Sequence, residues 1–255
     1  MNKVSKKVVV GNLKMNGSLD FNEKHFNQIK IALKDVNTID IGICVSYPYL
    51  FQAQMIFQDS NISWGSQNVA KDEKGPFTGE VSVAMLTDFN SKYAIVGHSE
   101  RSTAYCESDE NIATKFSIVK SKSMTPLLCV GETLIEREAG IMERVVANQI
   151  ETIRKKYGTN VFKNSIIAYE PIWAIGSDLA ASPEQADHMC NFIRNLIHED
   201  KNNSIDDLKI IYGGSVNSKN ALQLCGLESV DGALIGRGSL NAEEFIKICQ
   251  IVNSL

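Results

Sequence analysis

The stretch IIAYEPIWAIG, residues 166–176, shows the unit from which the fold can be predicted. Its first four residues carry no charge and lack polar alternation, as expected for a strand that is buried on both faces. An acid, Glu170, follows this strand at once, and Pro171 then fixes its own backbone φ angle. Because an acid gains nothing from an apolar core, we interpret Glu170 as a side chain that faces a site.

The same order, a short apolar strand followed by an amphipathic helix, recurs along the sequence. Beyond the opening stretch, a helix is predicted with Ser182 as N-cap, Pro183 at its first position and Glu184 at its second. Other helices are predicted after Ser18 and at the segment that begins at Asn241. The predicted strands are KVVVGNLK from residue 7, IDIGICVS from 39, ISWGSQNV from 62, YAIVGH from 93, TPLLCVGE from 125, SIIAYEP from 165, LKIIYGGSV from 208 and DGALIG from 231.

Eight strand–helix units follow one another without a linker, a low-complexity tract or a change of composition. This organisation predicts an α/β protein with one domain over residues 1–255: a closed (β/α)8 barrel of eight parallel strands surrounded by helices. The alternative is a doubly wound open sheet. No GxGxxG motif follows the first predicted strand, which argues against the dinucleotide-binding form of that alternative.

Composition and charge exclude several classes of function. Of the 255 residues, 44% are hydrophobic and 22% are charged, which is ordinary for a soluble globular protein. The formal net charge of −4 gives no basic surface, so we expect no nucleic-acid partner. No apolar run approaches the roughly 18 residues of a membrane span, and the run near the N-terminus is too short for a signal peptide. We therefore predict no membrane association and a cytoplasmic location.

Cysteines and histidines give no pattern for a disulfide frame or a metal site. The six cysteines contain no CxxC motif, and their scatter is typical of reduced core residues. The histidines at positions 25, 98, 188 and 198 lack the spacing of metal ligands. We expect neither a metal nor another cofactor.

Polar residues at the predicted strand ends are the candidates for catalysis, because active sites of such barrels lie at the carboxyl ends of the strands. Asn12 and Lys14 end the first strand, His98 the fourth and Glu170 the sixth. Each alone has an ordinary structural explanation, as a solvated charge or a core histidine. Together, a carboxylate, an imidazole and an ammonium suit the removal of a proton next to a carbonyl and the stabilisation of the resulting enediolate.

Glycine turns follow the last two predicted strands, at residues 213–215 and 236–238. Backbone N–H groups approach a phosphate closely only where no side chain intervenes, and the loops after strands 7 and 8 are the usual phosphate site of this fold. A glycine can also simply end a strand in a tight turn. Two such turns at the two expected positions favour a small phosphorylated substrate.

The segments NLKMNG, GHSER, AYEPIWAIG, YGGSV and DGALIG, in this order and at these distances, resemble the triosephosphate isomerase family from about residue 7 to residue 252. The resemblance implies a TIM barrel without a cofactor. It also implies an aldose–ketose isomerase of glycolysis and gluconeogenesis, which interconverts dihydroxyacetone phosphate and D-glyceraldehyde 3-phosphate.

The same resemblance implies a role for each matching residue. Glu170 would be the base that moves a proton between C1 and C2, and His98 would polarise the carbonyl as a neutral imidazole. Asn12 and Lys14 would hold the substrate, with Glu100 supporting Lys14. The other implied residues are Leu13, Gly176, Ser215, Gly236 and Arg237 at the substrate and Ser99 behind His98. The segment 171–173 would be the first hinge of a lid that closes over the phosphate.

The sequence departs from the family pattern at four places. Leu13 stands where tryptophan is usual, and Ser102 stands where arginine is common. The lid tip SDLAAS, residues 177–182, differs from the usual tip rich in glycine and lysine. Arg237 replaces a glycine, so its backbone N–H could bind the phosphate as in the family, or its guanidinium could add a charged contact.

The loop AKDEKGPFTGE, residues 70–80, resembles the segment with which the family reaches into a partner subunit. Its composition alone fits a solvated loop. The resemblance implies a homodimer in which Thr78 lies near the partner's Asn12 and the partner's His98.

Two other functions stay open at this point. Another sugar-phosphate barrel enzyme, for example an aldolase that uses Lys14 as a Schiff base, would share the fold. A non-catalytic paralogue would bind a phosphorylated metabolite or a protein partner. Such a paralogue would be expected to have lost the base or the histidine, and this sequence retains both.

Overall fold

A computed structural model describes residues 6–176, 180–198, 205 and 207–255. Eight strands form a closed barrel in the order in which they occur along the chain, and each neighbouring pair is parallel. The (β/α)8 barrel predicted from the sequence is thus confirmed, and the open sheet is excluded. The strands are β1 (Val8–Asn12), β2 (Asp40–Val45), β3 (Ile62–Ser66), β4 (Tyr93–Val96), β5 (Thr125–Val130), β6 (Ile166–Tyr169), β7 (Lys209–Tyr212) and β8 (Gly232–Ile235).

Helices surround the barrel, and short 3-10 turns lie near several strand ends. The α-helices of the described residues are α1 (Leu19–Ala32), α2 (Leu50–Phe57), α3 (Val83–Asp88), α4 (Ser99–Tyr105), α5 (Asp109–Ser121), α6 (Leu134–Glu138), α7 (Met142–Tyr157), α8 (Pro183–His198), α9 (Ala221–Cys225) and α10 (Ala242–Asn253). The 3-10 turns are Tyr47–Tyr49, Thr159–Phe162, Ile172–Ala174 and Arg237–Leu240.

The helix starts follow the capping chemistry that the sequence predicts. Ser18 accepts the N–H of Phe21 in the first turn of α1, at 3.1 Å. Ser182 Oγ accepts the N–H of Gln185 at 3.2 Å, and Gln185 Oε1 accepts the N–H of Ser182 at 2.9 Å. This reciprocal pair satisfies two donors that α8 cannot satisfy internally. The predicted start of α8 at Pro183 is therefore confirmed.

The core has two layers, one inside the barrel and one between the strands and the helices. Along β1, Val8 and Val10 point into the barrel, while Val9 packs in the outer layer. Both kinds of position are buried, which explains why the strands show no polar alternation. The rigid sheet holds the ends of all eight strands in fixed positions around one rim.

Two further findings bear on the expectations from composition. None of the described helices is long and apolar enough to cross a membrane. All six cysteines are free thiols, and only Cys106 is exposed.

Candidate active site

A cavity of about 310 Å³ opens at the carboxyl ends of the strands, inside the rim of the barrel. Eight of the residues predicted from the sequence line it: Asn12, Lys14, His98, Glu170, Gly176, Ser215, Gly236 and Arg237. They come from the ends of β1, β4, β6, β7 and β8, which are far apart in the sequence. Barrel closure alone brings these side chains and turns into contact with one space.

Glu170 is buried at the end of β6, with 2% of its surface exposed. Its N–H donates to the carbonyl of Val130 at 2.7 Å, so its backbone continues the sheet. Its Oε1 lies 3.4 Å from Nε2 of His98, and its Oε2 has no hydrogen-bond partner among the described residues. A Cβ on Gly213 would lie 2.7 Å from Cγ of Glu170, so only glycine leaves room for this side chain. The carboxylate therefore keeps one oxygen available for a proton.

His98 is the N-cap of α4, and its ring is fixed by the first turn of that helix. Its Nδ1 accepts the N–H of Glu100 at 3.3 Å. A ring nitrogen that accepts a hydrogen bond carries no proton, so the neutral ring has its proton on Nε2. Nε2 is the nitrogen nearer Glu170. The helix start thus presents an N–H donor to the cavity.

Lys14 has a left-handed backbone, with φ of 52°, directly after β1. The side chain of Asn12 stabilises this conformation, because its Oδ1 accepts the N–H of Lys14 at 3.0 Å. The Nζ of Lys14 donates to Oε1 of Glu100 at 2.6 Å. The turn brings the ammonium back over the rim, where it lines the cavity next to Gly236.

Three of the predicted residues, Leu13, Ser99 and Glu100, do not line the cavity, and Glu100 contacts it only through its ion pair with Lys14. Leu13 is 1% exposed and packs in the outer core, and its N–H donates to the carbonyl of Cys44 at 3.1 Å. Its side chain therefore faces away from the cavity. Ser99 is the buried first residue of α4, behind His98.

Glu132, at the end of β5, is fully buried and was not predicted from the sequence. Its Oε1 accepts hydrogen bonds from Trp173 Nε1 at 2.9 Å, Tyr169 OH at 3.0 Å and Arg137 Nη1 at 3.0 Å. Burial, together with the negative charge of Glu132, raises the pKa of Tyr169, so this hydroxyl stays a donor. Glu132 lies two residues after β5, and an acid so close to the carboxyl end of a strand was the signal in the sequence that could have identified it.

The Glu132 carboxylate anchors the segment that was predicted to be a hinge. Trp173 lies in the 3-10 turn after Pro171, and the guanidinium of Arg137 stacks over its ring at 5.1 Å. At the end of the turn, Ser215 Oγ donates to the carbonyl of Ala174 at 2.7 Å. Further along the chain, the N–H of Ala181 donates to Tyr212 OH at 3.0 Å. The expectation about the lid tip concerns residues 177–182, of which 177–179 lie outside the described residues.

Glu244 and Asn217 also line the cavity and were not predicted. Glu244 lies three residues after Asn241, the N-cap of α10. In a sequence, an acid at this position is usually explained by helix capping. The contact of Glu244 with Ser218 across the cavity wall therefore could not be predicted from it. The described residues contain no cluster of three or more histidine, cysteine or acidic side chains that could hold a metal ion.

A closed (β/α)8 barrel with a buried carboxylate, an imidazole donor and an ammonium at its carboxyl rim has the architecture of the barrel enzymes, and its groups are of the kinds that acid–base catalysis uses. The sequence model of the family described as triosephosphate isomerase matches residues 7–252. The chain therefore belongs to the triosephosphate isomerase family.

Individual relatives agree with this assignment. The triosephosphate isomerase of Thiobacillus denitrificans is 46% identical over 245 residues, which cover 96% of this chain and 98% of the relative. That of Nitrosomonas eutropha is 44% identical over 241 residues, or 94% of this chain and 96% of the relative. The crystal structure of triosephosphate isomerase from Bartonella henselae superposes with a TM-score of 0.86 at 33% identity, covering 96% of this chain and 98% of that chain.

Proposed function

We propose that this protein interconverts dihydroxyacetone phosphate and D-glyceraldehyde 3-phosphate by proton transfer through an enediolate. Family membership supports the reaction. The observation that carries the mechanism is the pairing of Glu170 Oε1 with His98 Nε2 at 3.4 Å in a buried cavity. A carboxylate and a neutral imidazole at this separation can act on a carbon atom and on the oxygen bonded to it.

In this proposal Glu170 removes a proton from the carbon next to the carbonyl and returns it to the neighbouring carbon. Its buried position and its unpartnered Oε2 support the role of base. Isomerisation moves two hydrogens within one molecule, so no electrons leave the substrate and the step needs no external oxidant or reductant. We accordingly assign no cofactor to the reaction.

His98 and Lys14 stabilise the negative charge that develops on the oxygen atoms. The Nε2–H of His98 donates to the carbonyl oxygen, and its tautomer is already set by the Glu100 N–H. The Lys14 ammonium offsets the charge of the substrate, and Asn12 fixes the turn that carries it. Because these groups are ordered by their own hydrogen bonds, little reorganisation is needed during the reaction.

The phosphate group is proposed to bind at the turns after β7 and β8. The ligands are the backbone N–H groups of Gly176, Ser215, Gly236 and Arg237. All four residues line the cavity, and both turns are rich in glycine, which supports close approach of an anion to the backbone. Ser99 and Glu100 support the site without contacting the substrate. Ser99 begins α4 directly after His98, and Glu100 forms the ion pair with Lys14.

The segment 171–173 is proposed as the first hinge of a lid. Its anchorage to Glu132 through Trp173 supports a hinge with few alternative conformations. Closure would exclude water from the enediolate and so protect it from loss of phosphate.

An aldolase that uses Lys14 as a Schiff base is disfavoured by the Lys14–Glu100 ion pair. The Nζ of Lys14 already donates to Oε1 of Glu100 at 2.6 Å, so it would have to leave this partner before it could attack a carbonyl. A coupled assay of glyceraldehyde 3-phosphate conversion tests the proposal, with borohydride trapping in the presence of dihydroxyacetone phosphate as the second arm. We expect turnover and no reduced adduct. A trapped adduct without isomerase activity would refute the proposal.

A homodimer is proposed on the basis of the cavity beside the site and the loop 70–80. This second cavity, of about 290 Å³, is lined by residues of the site and by Met15, Tyr47 and Tyr105. Met15 is 92% exposed, Tyr105 is 68% exposed and Phe77 in the loop is 43% exposed. Apolar side chains in such exposed positions are typical of a surface that another chain covers.

We also infer a cytoplasmic location. The free thiols, five of them buried, support a reducing compartment.

A further inference from the structure

We infer that Glu244 is a positioning residue for the phosphate group of the substrate, acting through Ser218. The inference rests on the proposed function, because it assigns the phosphate to the turns after β7 and β8. Glu244 does not need to touch the phosphate for this role. It connects the two turns through its contacts with Ser218.

Glu244 stands in the first turn of α10, the helix that follows the β8 turn. Its N–H donates to Oδ1 of the N-cap Asn241 at 3.1 Å, so its backbone is fixed by the cap. The side chain is half-buried and lines the cavity. It reaches from α10 to the loop between β7 and α9.

Both carboxylate oxygens of Glu244 contact a single residue of that loop. Oε1 accepts the backbone N–H of Ser218 at 2.6 Å, and Oε2 accepts its hydroxyl at 3.0 Å. Hydrogen bonds to an ionised acceptor are shorter and stronger than those between neutral groups. Two of them to one residue also fix the orientation of its peptide group.

The loop transmits this constraint to Ser215, the proposed phosphate ligand. Asn220 Nδ2 donates to the carbonyl of Ser215 at 2.9 Å, and its Oδ1 accepts the N–H of Asn217 at 2.8 Å. The two turns also lie close together, because a Cβ added to Gly238 would come within 3.5 Å of the carbonyl oxygen of Val216. The direction of the Ser215 N–H therefore depends on contacts that Glu244 holds in place.

The negative charge of Glu244 opposes phosphate binding, whereas its contact with Ser218 is expected to favour it. Substitutions that change the charge or the length of the side chain separately can therefore distinguish the two effects. A carboxylate on the wall of the cavity repels a phosphate dianion. Glu244→Gln removes this repulsion and keeps an oxygen at the same distance from the Ser218 N–H. Glu244→Asp keeps the charge but shortens the side chain by one methylene, so the carboxylate no longer reaches Ser218. If only charge mattered, Glu244→Gln would bind phosphate more tightly than the starting protein, and Glu244→Asp would bind it equally well.

The test measures kcat and KM for glyceraldehyde 3-phosphate, and the dissociation constant of inorganic phosphate by calorimetric titration. We expect Glu244→Asp and Glu244→Ala to raise both KM and the phosphate dissociation constant about tenfold, with kcat within about twofold. Glu244→Gln should stay within about twofold of the starting protein in both quantities. The matched control is Glu243→Asp, at the exposed neighbouring position in the same helical turn, which should change neither.

Unchanged KM and phosphate affinity in Glu244→Asp would overturn the inference. So would a fall in kcat with KM constant, since that pattern is a loss of chemistry and not of phosphate positioning. If Glu244→Ala does not fold, the aspartate and glutamine variants decide the question by themselves. If the starting protein binds phosphate without isomerising the triose, the proposed function fails, and the phosphate titrations still test Glu244.

Discussion

At the scale of single residues, the site depends on local hydrogen bonds that fix the orientation of each group. The Glu100 N–H leaves the proton of His98 on Nε2, and Asn12 holds Lys14 in a left-handed turn. Gly213 is required because any side chain there would displace Glu170. Each of these contacts is local, and each can be tested by one substitution.

The proposed base is tested by Glu170→Asp. The shorter side chain withdraws the carboxylate by about 1 Å, a displacement that can cost roughly 100-fold in rate. We expect kcat to fall by about this factor with KM little changed, because the phosphate contacts are intact. Steady-state kinetics in both directions measure it. An unchanged kcat would remove Glu170 from the role of base.

Arg237 is exposed at the start of the β8 turn, and we predict that its backbone N–H is the group that binds phosphate. Arg237→Gly keeps this N–H and removes the guanidinium. We expect kcat/KM to change by less than about threefold. A charged hydrogen bond to phosphate would be worth at least about tenfold. A tenfold rise in KM that shrinks at high salt would show instead that the guanidinium contributes.

At the scale of elements, α1 carries two polar side chains on its buried face. Asn22 is 0% exposed and His25 is 4% exposed, beside Phe26 and Ile29. The ring of His25 stacks on Phe21, with centroids 5.0 Å apart. Burial lowers the pKa of His25, while the backbone of Ser239 opposes this shift. The folded protein therefore holds this imidazole in its neutral form.

This burial predicts an acid-sensitive helix, which His25→Leu tests. Because the pKa of His25 is lower in the folded chain than the value of about 6.5 in the unfolded chain, the unfolded state binds more protons below that pH. The contribution of His25 to the free energy of unfolding is therefore fully present above about pH 6.5 and is lost as the pH falls below this value. His25 lines a surface groove together with the charged residues Lys24 and Glu243, and these two residues are present in both the wild type and the variant.

Urea unfolding at pH 7.5 and pH 5.5 measures the effect. We expect wild type to lose more stability than His25→Leu between the two values, by at most about 1.4 kcal/mol per pH unit. Parallel losses in the two proteins would contradict the prediction.

At the scale of the whole molecule, the barrel brings the predicted catalytic and phosphate-binding residues together from the ends of five strands. A second chain is proposed to cover one side of the site. The loop 70–80 is largely exposed in the single chain. The neighbouring cavity includes Lys14 and His98, so the proposed interface and the active site share residues. Assembly and activity are therefore expected to depend on each other.

Thr78→Arg tests this dependence. A charge placed where the partner packs must be desolvated without a counter-ion, which disfavours association. We expect weakly active monomers by light scattering and kinetic assay at the same protein concentration. Thr38→Arg, an exposed site after α1, is the control and should remain dimeric and active. A wild-type protein that is monomeric and fully active would refute the dimer.

The sequence alone determined the eight strands, the barrel and the cap of α8. Strands buried on both faces leave continuous apolar runs, and capping depends on residues within one turn of each other. The sequence also indicated Glu170, His98 and Lys14, because the carboxyl ends of barrel strands converge on one rim whatever the details of packing. These features depend on local patterns or on the closure of the barrel.

Only the tertiary structure decided which donors each carboxylate meets. Glu132 and Glu244 both follow ordinary local patterns, a strand end and a helix cap. Their partners Trp173 and Ser218 lie on other strand–helix units, 41 and 26 positions away. Such contacts depend on the register of the strands and on distances between side-chain atoms, to within a few tenths of an ångström. Neither can be predicted from the periodicity of the sequence.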